Sequence, residues 1–171
     1  MTDYNQKFVA IDFETATGYM NSPCAVGIVT VERGVIQDEY YTLIQPPENK
    51  YWWQNIKVHG ITPEMTLEAP EFPSVFPEIK KRLRSQCVIA HNEPFDRSVL
   101  QKTMLQHHLN YADLQLADRW LCTLRIYRSL GFKPANLSAC CSRLGIPLQH
   151  HEALSDARAC AQLYLEYLKQ L

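Results

Sequence analysis

No apolar run in the 171 residues approaches the ~20 needed to cross a bilayer, so neither a transmembrane helix nor a membrane partner is expected. Cysteine occurs six times (Cys24, Cys87, Cys122, Cys140, Cys141 and Cys160) but never as a CxxC pair or at zinc-type spacing. Buried, reduced thiols are therefore expected, and a disulfide framework or zinc site is not. The polar N-terminus runs straight into a strand without a signal-peptide pattern, so a cytoplasmic location is expected. Excess charge is also lacking, with 17 Lys+Arg against 18 Asp+Glu. Such a balance argues against a protein that coats duplex DNA by neutralising phosphates. Repeats, low-complexity tracts and linkers are missing too, and the length suits one domain over residues 1–171 with a core that needs no staples.

What the sequence does contain is three short segments that fit one chemistry: Asp12-Phe13-Glu14, then Asn92 to Asp96, then His151 with Asp156 five residues on. They supply four carboxylates and one imidazole, a side-chain set suited to cutting a phosphodiester with two divalent metals. Hard cations such as Mg²⁺ take oxygen ligands, and two ions ~3.5–4 Å apart can clamp the attacking and leaving oxygens of an in-line displacement. Four positive charges would offset four carboxylates that otherwise repel one another and take up protons. Bound metals would also reverse the local field, so balanced net charge does not exclude a nuclease.

Patterning supplies the scaffold. Strands are expected over 8–13, 25–31, 35–44, 87–90 and 120–122, with Arg33-Gly34 as a tight turn and Pro46-Pro47 ending the hairpin. Thr62-Pro63-Glu64 resembles a capped helix start. Val75, Ile79 and Leu83 share one helical face, with Ser74 as cap and Pro77 confined to the first turn. Asn92 can cap a helix to about residue 107 that turns Phe95, Val99 and Leu105 inward. Further helices are expected over 124–129, over 137–144 (stopped by Gly145 and Pro147) and over 153–169, the last burying Ala157, Ala161, Tyr164 and Leu168. The fold class expected is α/β, a mixed sheet of about five strands flanked by helices.

On a strand, Asp12 and Glu14 share one face while Phe13 packs on the other. Singly, each acid has a plainer reading: DxE is commonplace in strands, and Asp96 or Asp156 in a first helical turn complements the helix dipole. Their joint occurrence with specific neighbours favours the functional reading.

Val9-Ala10-Ile11-Asp12-Phe13-Glu14-Thr15, Ala90-His91-Asn92 with Phe95-Asp96, and His151 followed by Asp156 resemble the three motifs of the DEDDh 3′–5′ exonucleases. That family includes the proofreading epsilon subunit of bacterial DNA polymerase III. Val58-His59-Gly60-Ile61-Thr62 is similar to the family's substrate-side loop, and Cys122-Thr123-Leu124 to its strand-to-helix step. The resemblance spans nearly the whole chain and implies a ribonuclease H-like fold that releases nucleoside 5′-monophosphates from a single-stranded 3′ end. It implies that Asp12, Glu14 and Asp156 hold one metal and that Asp12 bridges to a second near Asp96. Mg²⁺ is the expected ion, with Mn²⁺ substituting. It also implies that the Thr15 backbone meets the 3′-hydroxyl and that Ile61 or Asn92 touches the last nucleotide, with His59 a further candidate for substrate binding.

A base working near neutral pH should be an imidazole. His151 matches the spacing and is expected in the loop before the last helix; His150 is one residue early, and His91 and His59 read as structural or substrate-positioning. In the aromatic cluster Tyr51-Trp52-Trp53, packing over the sheet is preferred to stacking on a terminal base. The basic groups Lys80, Lys81, Arg82, Arg84 and Arg119, Arg125, Arg128, Lys133 read as solvated helix faces in preference to a strand-tracking groove. DNA is favoured as substrate, although the family also holds RNA-trimming enzymes similar to ribonuclease T and oligoribonuclease. A catalytically silent nucleic-acid-binding module is the rival from another class. Because the chain ends directly after its last helix, a polymerase subunit, as a partner, would have to bind the domain itself.

Overall fold

The computed structural model describes residues 7–116 and 120–171; Arg119 lies outside them. Five strands form one sheet in the order β3-β2-β1-β4-β5. They are β1 (Phe8–Thr15), β2 (Pro23–Glu32), β3 (Val35–Leu43), β4 (Cys87–Ala90) and β5 (Trp120–Cys122). The first three are antiparallel neighbours, whereas β4 and β5 join β1 in parallel. Parallel pairing needs a crossover, and the helices provide it.

Around the sheet lie α1 (Trp53–His59), α2 (Pro63–Thr66), α3 (Phe72–Leu83), α4 (Glu93–Gln106), α5 (Thr123–Ser129), α6 (Leu137–Leu144) and α7 (Ala153–Leu168). Alternation along β1 divides the core. Val9, Ile11 and Phe13 pack with residues of α3 and α4 such as Val75, Ile79, Val99 and Leu100. Phe8 and Ala10 face Ala157, Cys160, Ala161 and Tyr164 of α7. With a period of two, Asp12 and Glu14 continue the α7 side beyond the point where the apolar residues stop. None of the described helices is long and apolar enough to cross a membrane. Cys24, Cys122, Cys140, Cys141 and Cys160 are free thiols, and all five are buried.

Glycine at position 27 decides how closely α7 approaches. Gly27 pairs with Asp12 across β1 and β2. A Cβ there would overlap the Ala153 carbonyl and lie 2.5 Å from the Leu154 amide nitrogen. Any larger residue would push the start of α7, and Asp156 with it, off the sheet.

Several local expectations are corrected. Helix α3 starts at Phe72 with Glu71 as N-cap, so Ser74 is not the cap and Pro77 lies inside the helix. Leu105 is 75% exposed rather than turned inward. Asn92 and Thr62 occupy N-cap positions without a side-chain capping bond. Trp52 and Trp53 do not pack over the sheet: Trp52 lies against Gly18 and edge-on to Tyr19, and Trp53 is 66% exposed. Helix α1, absent from the expected elements, buries no residue.

Candidate active site

Strand β1 brings Asp12 and Glu14 to the α7 face. From the first turn of α7, whose N-cap Glu152 accepts the Leu154 and Ser155 amides, Asp156 reaches toward them. One carboxylate oxygen from each of Asp12, Glu14 and Asp156 lies within 4.8 Å of the others. Asp96, 1% exposed in the first turn of α4, accepts the Phe13 amide at 2.9 Å, so it is tied to the strand between the two acids. It borders the trio without belonging to it.

The cluster's electrostatics follow from that crowding. Burial, then repulsion from Asp96, Glu14 and Asp156, holds the Asp12 carboxyl well above the ordinary carboxylate range. Burial and the Asp156 charge push Glu14 up to about 8. Burial raises Asp96 and Asp156 as well. Asp156 Oδ1 is buried without a hydrogen-bond partner. Converging carboxylates with an orphaned buried oxygen fit a divalent cation bound through oxygen, which would supply the missing partner and offset the repulsion.

The histidines divide by geometry. His151 sits in the loop before α7, as expected, with a left-handed backbone (φ 67°). Its amide donates to Asp156 Oδ2 at 3.1 Å. The imidazole that reaches this oxygen, however, is that of His150, at 3.0 Å from Nδ1. The two rings stack at 3.7 Å. Burial first, and the His150 charge second, hold His151 below the ordinary histidine value. His59 Nδ1 accepts the Ile61 amide at 3.0 Å, which leaves Nε2–H to donate to the Thr15 carbonyl at 3.1 Å. His59 is thus a neutral brace. His91 bonds Thr123 Oγ1 at 2.9 Å through Nδ1, and burial pushes it down to about 4.

These groups open on a cleft of about 460 Å³. Thr15, His59, His91, Phe95, His150 and His151 line it, with the trio at its floor. Ile61 does not: it is 6% exposed and packs with Ala16, Cys24, Ala25 and Ala153. Asn92 lies outside this cleft, in the groove beside it. Four lining residues escaped the sequence reading: Gln54, Asn55, Asn136 and Leu137. Asn55 donates to the Thr15 and Thr17 carbonyls at 2.9 and 3.0 Å, clamping α1 to the end of β1. Asn136 caps α6 through the Ala139 amide, and an asparagine just before an apolar run was the available signal.

The exonuclease family model RNase_T matches residues 9–164. The PolC-type DNA polymerase III of Thermotoga maritima is 33% identical over 173 residues, which cover 96% of this chain but only 12% of that protein. The DNA polymerase III epsilon subunit of Pasteurella multocida is 30% identical over 183 residues, covering 96% of this chain and 70% of the subunit. Among solved structures, the nuclease domain of 3′hExo, a DEDDh family member bound to rAMP, aligns with a TM-score of 0.83 at 17% identity, over 98% of this chain and 94% of that one. Exonuclease X in complex with 5′ overhanging duplex DNA aligns at 0.74 and 24% identity, over 95% and 92%. The shared fold is the ribonuclease H-like mixed sheet with flanking helices. With its motifs in order along this scaffold, the chain belongs to the exonuclease family as a 3′–5′ exonuclease of the DEDDh type.

Proposed function

We propose that this chain, as one exonuclease domain over residues 1–171, removes nucleoside 5′-monophosphates from the 3′ end of single-stranded nucleic acid, with DNA favoured. The observation that carries the proposal is the acid trio within 4.8 Å, one of whose buried oxygens has no partner, at the floor of the cleft. Asp12, Glu14 and Asp156 would hold one divalent ion, and Asp12 with Asp96 a second. Mg²⁺ is the proposed ion, with Mn²⁺ substituting. Such ions supply charge to both oxygens of an in-line displacement.

The chain's own groups do the rest. His151, neutral near pH 7 because burial and His150 disfavour its cation, takes the proton of the attacking water. The Thr15 backbone, braced by His59 and Asn55, positions the terminal 3′-hydroxyl. Asn92 flanks the last nucleotide from the groove side, whereas Ile61 supports that end of the cleft from beneath. DNA is favoured because PolC-type polymerase and epsilon relatives are 33% and 30% identical to this chain. A polymerase subunit in the cytoplasm is the corresponding proposed partner.

A second reading, RNA 3′-end trimming, draws on the likeness to 3′hExo bound to rAMP. Gel time courses with 5′-labelled DNA and RNA strands decide between them. Wild type and Asp12→Ala are each run with Mg²⁺, Mn²⁺ or EDTA. A metal-dependent ladder shortening from the 3′ end, lost in the variant, is expected, and the faster strand names the substrate. Strand binding without degradation would instead identify a silent binding module.

A further inference from the structure

Between Asp118 and Glu152 the sequence contains no acidic residue, yet it carries five basic ones: Arg119, Arg125, Arg128, Lys133 and Arg143. In a chain of net charge −1, that is a pronounced separation of sign. In the other basic group, two of the four cations are paired in place. Lys80 pairs with Asp113 at 3.6 Å, and Arg82 with Asp38 and Glu78 at 2.7 and 2.6 Å. Among the described residues, Arg128 and Lys133 have no carboxylate within salt-bridge distance, and both are exposed.

Both line a groove of about 790 Å³ together with Asn92 and Phe132. The Arg143 guanidinium lies over the Phe132 ring at 4.3 Å and adds a third cation beside it. His91 and Asn136 line this groove and the catalytic cleft alike, so the two are continuous. A charged groove that opens onto the cleft is suited to a polyanion whose end lies at the acid trio.

We propose that this groove carries the sugar–phosphate backbone of the strand on the 5′ side of the bond being cut, making the enzyme one that prefers polynucleotides to dinucleotides and mononucleotide esters. Arg128 and Lys133 are then strand-positioning residues: they contact phosphates, not the reacting atoms. The proposal rests on the exonuclease reading above. An acidic segment of a protein partner is the competing occupant of the same groove.

The test uses the whole chain with Mn²⁺ and two substrates, a labelled single strand and the p-nitrophenyl ester of thymidine 5′-monophosphate, which fills only the cleft. For the double variant Arg128→Glu/Lys133→Glu, KM for the strand should rise about tenfold or more while kcat on the ester stays within about twofold. The slope of log kcat/KM against log salt should become shallower by about 1.4, from ~0.7 per single-strand phosphate contact. Arg128→Lys/Lys133→Arg should restore both values. An unchanged strand KM and salt slope, with both substrates turned over normally, overturns the groove alone and leaves it to an acidic partner. A parallel loss on strand and ester also overturns it, by showing damage to the site. Wild type that hydrolyses neither substrate overturns the exonuclease reading and this inference with it.

Discussion

Replacing Gly27 by alanine should separate the stability of this fold from the assembly of its site. The added methyl would overlap the Ala153 carbonyl and stand 2.5 Å from the Leu154 nitrogen, about 1 Å short of ordinary van der Waals separation. Those neighbours are backbone and cannot swing aside, so the start of α7 must retreat by about that distance. Asp156, two residues beyond Leu154, travels with it. Overpacking of this kind costs about 1–3 kcal/mol, or a Tm lower by roughly 2–12 °C for a domain of this size. The effect on function should be larger, because Mg²⁺ requires ligands near 2.0–2.1 Å and a 1 Å misplacement can cost on the order of 10²-fold in rate. Strand hydrolysis at saturating Mg²⁺ is measured at 25 °C, with circular dichroism verifying that the variant is folded. Gly145→Ala is the control. Gly145 has φ +68° and open space around its Cβ position, so alanine there strains the α6 cap by about 1–2 kcal/mol without touching the site. Wild-type kcat/KM in Gly27→Ala would refute the reasoning, as would an equal loss of activity in Gly145→Ala.

Asp12→Ala should lower metal-dependent turnover by about 10²–10³-fold, since metal clamping contributes several kcal/mol; near-normal rates in purified variant would place the metals elsewhere. His151→Gln should lose about 10²–10⁴-fold in kcat while isothermal titration still detects metal binding. His150→Gln should lose less, and the reverse order would transfer the base role to the ring now on Asp156 Oδ2. Glu14 links the site to stability through pH. Its folded value of about 8 lies above the ordinary 4.5, so its contribution is fully present below pH 4.5 and is lost as pH rises toward 8. In EDTA, urea midpoints should therefore fall between pH 5 and pH 8, by a few kcal/mol in unfolding free energy. Mg²⁺ or Glu14→Gln should flatten the dependence, and a wild-type midpoint indifferent to pH in EDTA would contradict the strained acid cluster.

The parts legible in the sequence are those governed by local rules. Val9, Ile11 and Phe13 alternate with Ala10, Asp12 and Glu14, and this period alone assigns the acids to one face of β1. Gly145 stops α6 in a left-handed cap, as its position suggests. The less legible parts depend on distant partners. Helix α1 has no apolar stripe because nothing in it is buried; bonds from Asn55 and His59 to the Thr15 carbonyl hold it in place. Leu105 fits an inward pattern only approximately, since the drift over ten residues from Phe95 carries it to the solvent side of α4. Which imidazole reaches Asp156 was hidden as well, because the positive φ at His151 directs its amide, and the ring of His150, to the carboxylate.

Charge is where composition says least. Near-neutral totals argue against a protein that coats duplex DNA without excluding a nuclease, and the fold sorts its charges into two adjoining regions. Acids gather where β1 meets α4 and α7, and Arg128 and Lys133, from the acid-free stretch between Trp120 and His151, line a groove that shares His91 and Asn136 with the acids' cleft. Each region alone would be poorly suited to a phosphodiester strand: bare carboxylates repel it, and a basic groove holds it without cutting. On the reading proposed above, they would act in sequence along one strand, the groove holding phosphates by charge and the acid trio accepting them only once cations are bound. This arrangement needs no net basic charge, because the groove must neutralise only a few phosphates and bound metal offsets the acids locally. A balanced total is therefore what such a division of labour produces, not evidence against contact with nucleic acid.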